Sequence, residues 1–205
     1  NLFFYLNQKN LKNFCIYQDN NKATYSDINH LSNLLLKKID INYTKIIGII
    51  SSNTLESAMT YFAVKKLGLV PIIIPVDDKK KGLDYLNHIG CSSFLSSNID
   101  MSSSKLNNKD HYKLINISKN IQLIKMNDEE KNSDIKMEGD ILLTSGTSGA
   151  KKGVFISNQS IVSTINYISS IMKINKNYKE FLGVPIFHSF GLARLRMAIF
   201  HGSNI

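Results

Sequence analysis

The chain has 205 residues, 43% of them apolar and 20% charged, enough for one core or two small lobes and with no polar tract long enough to demand disorder. Its net charge of +9 invites a nucleic-acid partner. Against this, Arg194 and Arg196 are the only arginines and the lysines are scattered apart from Lys79-Lys80-Lys81, whereas phosphate and base readout favours arginine clusters.

In chain order, the opening "NLFFYLNQKN" has no signal-peptide core, and no stretch approaches the ~20 apolar residues of a membrane span. Asn13 to Gln18 and Lys22 to Tyr25 bracket Asp19-Asn20-Asn21 and predict a β-hairpin. Ser26 is the expected cap of a helix carrying Ile28, Leu31, Leu34 and Leu35 at helical spacing. "KIIGII" (Lys45 to Ile50) reads as a buried strand. A helix from Asn53 or Thr54 follows, through Leu55, Ala58, Tyr61, Phe62 and Val64, and Gly68 stops it. Val70 to Val76 is the next strand. Lys79-Lys80-Lys81 reads as a solvated helix start, Leu83 to Ile89 as helix ended by Gly90, and "CSSFL" as a strand. Strands and helices alternating in this way predict an α/β fold with a largely parallel sheet flanked by helices. Cys15 and Cys91 lie far apart, each in or beside an apolar run. They form no C-x-x-C and no metal spacing, so buried free thiols in a reducing, cytoplasmic setting are expected.

From residue 96 to 138 the chain turns polar and reads as a variable connection holding two short strands, "YKLINI" and "IQLIK". A strand from Asp140 to Thr144 then runs into a glycine-rich loop, and Val154 to Ile156 leads out. Asn158 is the expected cap of a helix to about Met172, "EFLGV" reads as a strand, and a last helix runs from about Gly191 to Phe200. Arg194 and Arg196 are expected at the surface or the helix end. His30, His88, His111 and His201 have no partners at metal-ligand spacing.

The loop carries the chemistry. Thr144-Ser145-Gly146-Thr147-Ser148-Gly149 has almost nothing to bury, and Lys151-Lys152-Gly153 follows. An ordinary hairpin connection of two to five residues is shorter than this segment. Freed backbone N–H groups, hydroxyls and a lysine suit a polyanion, and the loop is expected to order when one binds. A Walker A loop is excluded, since a start at Gly146 puts Lys151 where the second glycine belongs. No G-x-G-x-x-G turn is present either.

"TSGTSGAKKGV" resembles the signature loop of the AMP-forming adenylating enzymes, T-S-G-T-[ST]-G-x-P-K-G: acyl- and aryl-CoA synthetases, luciferase and peptide-synthetase adenylation domains. Lys151 stands where that pattern has proline, and Lys152 takes the place of its recurring lysine. "ATYSDINHLSNLLLKKI" and "IIGIISSNTLESAMTYFAVKKLGLVPIIIPVD" are similar to earlier elements of the same family, so the resemblance covers nearly the whole chain. "VPIFHSFGLARL" supplies Pro185, His188 and Gly191, matching the P-x-x-H-x-x-G of the CoA-synthetase branch.

The resemblance implies ATP-dependent activation of a carboxylic acid to an acyl-adenylate, with transfer to coenzyme A as co-substrate or to a carrier-protein thiol. It implies phosphate contacts from Thr144, Ser145, Gly146, Thr147, Ser148, Gly149, Lys152 and Gly153, with Mg²⁺ near Thr144. Lys152 and His188 take the catalytic roles, His188 lies beside the substrate carboxylate, and Gly191 leaves room for the acyl group. No later segment supplying a magnesium glutamate, a ribose aspartate or a C-terminal lysine occurs here. Residues 1–205 therefore read as the first part of an adenylate-forming domain, inactive alone. The competing readings are an amino-acid adenylation domain, a non-catalytic polyanion-binding module, and a structural piece whose loop is only a turn.

Overall fold

The computed structural model describes residues 3, 6, 11–97, 112–126, 138–145 and 151–205. Strands β1 (Cys15–Gln18) and β2 (Asn21–Thr24) form the expected hairpin, with Asp19 in the left-handed region at its turn. Helix α1 (Tyr25–Leu36) follows, capped by Thr24 rather than Ser26. The reason is reciprocal: the Asp27 carboxylate accepts from the Thr24 N–H at 2.8 Å while the Thr24 hydroxyl accepts from the Asp27 N–H. Ser26 has Asn29 three residues on, and no acidic group to close such a box.

Among the described residues seven strands form the main sheet, in the order β6-β7-β5-β3-β4-β8-β9. They are β3 (Ile46–Ser51), β4 (Val70–Pro75), β5 (Ser93–Ser97), β6 (Tyr112–Ser118), β7 (Ile121–Met126), β8 (Gly139–Ser145) and β9 (Lys151–Ser157). The four central strands β5, β3, β4 and β8 are parallel, as the alternation of elements predicts. Both margins are antiparallel, because β6–β7 and β8–β9 are hairpins and hairpins need no crossover helix. The two short strands expected within the polar stretch thus extend the sheet, since β7 pairs with β5.

Helices α2 (Leu55–Lys66), α3 (Lys79–His88), α4 (Asn158–Met172) and α5 (Ser189–His201) complete the fold. Thr54 caps α2, and Ser157 rather than Asn158 caps α4 through a bond from the Ser160 N–H. Strand alternation sorts the core into two layers. Ile47, Ile49, Ile73, Leu95 and Leu142 pack with α2 and α5, whereas Ile50, Ile72, Ile74, Phe94 and Ile141 pack with Leu86 of α3. Cys91 is buried and Cys15 half-buried, both free.

Two expectations fail here. Glu180 to Val184 is not a strand: among the described residues the only bridge is made just before it, by Lys179 with Asn204, and Phe181 is 90% exposed. Apolar residues alone do not make a strand without a ladder partner. Arg194 and Arg196 are buried rather than at the surface, each paired with a carboxylate.

Candidate active site

The β3 to β4 crossover steps to one side and the β4 to β5 crossover steps back across β3, so α2 and α3 leave adjacent strands for opposite faces. That divergence makes a topological switch point at the carboxyl ends of β3 and β4, where open α/β sheets bind ligands. Strand β8 lies beside β4 and runs the same way, so its exit opens onto the same edge.

The exit is a hairpin mouth. Antiparallel pairing continues to Thr144 opposite Lys152 and Ser145 opposite Lys151, leaving the five residues 146–150 between the strands. The connection is therefore of hairpin length after all, because β8 and β9 run further into the segment than its composition predicted. Gly146, Thr147, Ser148 and Gly149 lie outside the described residues. Thr144 is held by its hydroxyl, which donates to the Lys152 carbonyl at 3.3 Å. Thr144 shares the face of Leu142, so it and its cross-strand neighbour Lys152 project on the α5 side of the sheet. Both are exposed.

Gly153 answers a different need. A Cβ there would stand 2.0 Å from the Tyr85 hydroxyl and 2.8 Å from Ile141 Cγ2, on the α3 side. Packing of Tyr85 across β9 is enough to require glycine, whatever the loop binds. Tyr85 went unnoticed in the sequence because it looks like any aromatic on an amphipathic helix.

His188 does not follow a strand. It is the N-cap of α5, exposed, with its ring 4.8 Å from that of Phe187. The turn before it is pinned to the carboxyl edge, where the Ile186 N–H donates to Asn53 Oδ1 at 2.9 Å. Asn53, with φ 58, sits between β3 and α2, so the bond brings the start of α5 to the switch point. Gly191 is spoken for by the main chain: a Cβ would meet the carbonyls of Pro185 at 2.3 Å and Val184 at 2.5 Å. A cavity of about 330 Å³ lies behind this turn, bounded by Gln18, Asn53, Leu182, Ile186 and Leu195, and no described residue of β8 or β9 lines it.

Beneath these parts is a buried ionic cluster. Asp140 of β8 contacts Lys65 Nζ of α2 at 2.7 Å and pairs with the Arg196 guanidinium of α5. Tyr61 donates to the same carboxylate at 2.7 Å and accepts from Arg196 Nε at 2.7 Å. Lys65 also donates to the Gly139 carbonyl and to Asn158 Oδ1, each at 2.8 Å. Signals for this cluster exist in retrospect. Arg196 falls four residues after Leu192 and three before Ile199, on the apolar stripe of α5, and Asp140 shares the face of Leu142.

Burial drives the Asp140 carboxyl upward, but Arg196 and Lys65 outweigh it and hold it below its usual value. For Lys65 burial wins over the pairing with Asp140, and its ammonium is held below the usual lysine value. The sign of the Asp140 contribution follows. Its stabilisation is complete above an unfolded value of about 3.9 and is lost as pH falls through the lowered folded value. The stability difference between wild type and Asp140→Asn, measured by urea unfolding at several pH values, is expected to shrink on acidification below pH 4. A difference that stays constant there would contradict the pairing.

The family model described as AMP-binding enzyme matches residues 6–205, and the chain belongs to that family. Among solved structures it resembles O-succinylbenzoate coenzyme A synthetase (MenE) of Bacillus subtilis bound to AMP. The TM-score is 0.70 and the identity 18%, over 92% of this chain and 50% of that one. A second structure of that synthetase holds ATP and a magnesium ion. A malonyl-CoA ligase product complex with methylmalonyl-CoA and AMP matches with TM-score 0.70 and 14% identity, over 97% of this chain and 41% of that one. The Vibrio cholerae adenylation domain AlmE with glycyl-adenosine-5'-phosphate matches with TM-score 0.73 and 12% identity, over 99% and 43%. The chain spans about half or less of the length of these proteins, and likeness at such identity concerns the fold. No helix among the described residues is long and apolar enough to cross a membrane.

Proposed function

We propose that the chain carries the phosphate-binding part of an enzyme that activates a carboxylic acid with ATP, forming an acyl-adenylate and pyrophosphate, and then passes the acyl group to coenzyme A. The observation carrying this reading is the placement of Thr144 and Lys152 at the hairpin mouth. They stand on the face and edge to which Asn53 also ties the start of the His188 helix.

The reaction must bring a carboxylate up to a polyphosphate. Two unit charges ~4 Å apart repel by about 4 kcal/mol at an effective dielectric near 20. Lys152 supplies a compact positive charge at the hairpin mouth, and the loop N–H groups and hydroxyls supply donors that order as the polyphosphate binds. His188, exposed at a helix start, can orient the carboxylate through a ring N–H. Magnesium fits the mouth: the Thr144 hydroxyl gives its proton to the Lys152 carbonyl, so its oxygen lone pairs are available to a hard cation. A magnesium ion there, held mainly by nucleotide phosphates and water, would neutralise phosphate charge.

Support for coenzyme A over a carrier protein comes from the Pro185–His188–Gly191 pattern and from the likeness to a coenzyme A synthetase and a CoA ligase. The AlmE likeness favours a second reading, activation of an amino acid. Substituting the two adjacent lysines tests the role of the mouth. In the complete protein Lys152→Ala should lower kcat/KM for ATP by about 10- to 100-fold, the loss of a charge-assisted contact of about 1.5–3 kcal/mol. Lys151→Ala, at the proline position of the family pattern, should change it less than threefold. Equal losses would contradict the assignment.

A further inference from the structure

We propose that Lys65, Asp140 and Arg196 are positioning residues, a buried clamp that sets the distance from Thr144 and Lys152 at the hairpin mouth to His188. The inference rests on the adenylate-forming reading, because it concerns the two halves of that site. Strand β8 runs from Asp140 up to Thr144, four residues and about 13 Å at strand rise. Helix α5 runs from His188 at the carboxyl edge down to Arg196, eight residues and about 12 Å at helical rise. The two elements therefore leave the cluster as arms of nearly equal length, and each carries one half of the site at its far end. Among the described residues no hydrogen bond joins Thr144 or Lys152 to the turn from Ile186 to Gly191. The Asp140–Arg196 pair is the polar tie between the arms, and Lys65 braces it against Gly139 and the start of α4.

The chemistry of the cluster favours placement over stability. Two cations share one buried carboxylate, an arrangement that well-packed apolar side chains of similar volume replace with little or no loss of stability. What apolar packing does not supply is a unique registration. Asp140 meets its partners only if Tyr61, Lys65 and Arg196 all arrive together, and a one-residue slip of β8 would turn it to the α3 face. Arg196 to Asp140 thus fixes α5 along its axis relative to β8, the direction in which sliding would move His188 towards or away from Lys152.

The test removes all three charges at once, so that none is left unpaired. In the complete protein the variant Lys65→Met, Asp140→Leu, Arg196→Met is expected to unfold at a urea midpoint close to wild type. Spin labels at Val154→Cys and Phe190→Cys, both exposed positions, with Cys15 and Cys91 replaced by alanine, report the separation of the arms. Wild type should give one narrow distance, and the triple variant a distribution broadened or shifted by several ångströms. Its carboxylate-dependent adenylation should lose at least tenfold in kcat with KM for ATP changed less than threefold. An unaltered distance distribution together with an unaltered kcat would overturn the proposal. Failure of wild type to adenylate any acid would instead defeat the functional reading, and the label distances would still decide the clamp. Should the triple variant not fold, Arg196→Lys decides by the same two readouts: a shifted distance with a lower kcat supports the clamp, and no change in either refutes it.

Discussion

Asp140→Ala is expected to destabilise the protein by about 3–5 kcal/mol, because it leaves two buried cations without their carboxylate. Asp140 is 1% exposed, Lys65 2% and Arg196 5%, so solvent does not screen the loss. Tyr61 and Asn158 cannot substitute, since each contributes a neutral oxygen to the cluster. Total stability of a domain this size is only about 5–15 kcal/mol, so the change removes a large share of it. Urea unfolding of purified wild type and variant measures the difference. A loss below 1 kcal/mol would mean that the cations find water or another partner, and the cluster would then not be the tie between β8, α2 and α5.

Gly191→Ala is expected to lower kcat of the complete enzyme by about 100-fold, the loss that a misplacement of ~1 Å can cause. The added methyl would lie 2.3 Å from one carbonyl oxygen and 2.5 Å from another, and neither is the free end of a flexible side chain. Either the first turn of α5 lifts or the Val184–Pro185 backbone retreats, and His188 moves in both cases because its N–H donates to the Pro185 carbonyl at 3.1 Å. Overpacking of this kind also costs about 1–3 kcal/mol of stability. Steady-state kinetics across acids of different chain length separates two accounts of this glycine. Loss that is uniform across acids supports displacement of His188. Loss confined to long acids would support the acyl-room role that the sequence pattern suggested.

Local chemistry made much of the fold legible. "KIIGII" and "VPIIIPV" are apolar on both faces, as strands buried between two helical layers must be, and they are neighbours in the parallel centre. The glycine loop was legible because few structures need six small residues before two lysines. Its hairpin geometry was not, since strand pairing reaches into residues with poor strand preference when the opposite strand is already in register. The "EFLGV" reading erred in the other direction, with strand-like residues that lack a ladder. The ionic cluster was hidden for a different reason. Its members are distant in sequence, 56 residues from Asp140 to Arg196 and 93 from Lys65 to Asn158, and a charged residue on an apolar stripe is recognisable only when its partner is known. Gly153 and Gly191 match a family pattern, yet what lies against their missing side chains is Tyr85 in one case and two carbonyls in the other.

The most direct test of the central claim is exchange of labelled pyrophosphate into ATP by the complete protein, across a panel of aliphatic, aromatic and amino acids. Exchange should depend on one class of carboxylic acid and on magnesium, and should fall by about 10- to 100-fold in Lys152→Ala, matching loss of a charge-assisted contact. Residues 1–205 alone should give none, because positioning accounts for roughly 7–11 kcal/mol of such a barrier and the chain spans about half the length of the synthetase it resembles. Exchange that persists undiminished in Lys152→Ala, or a complete protein that binds ATP yet exchanges nothing with any acid, would contradict the account.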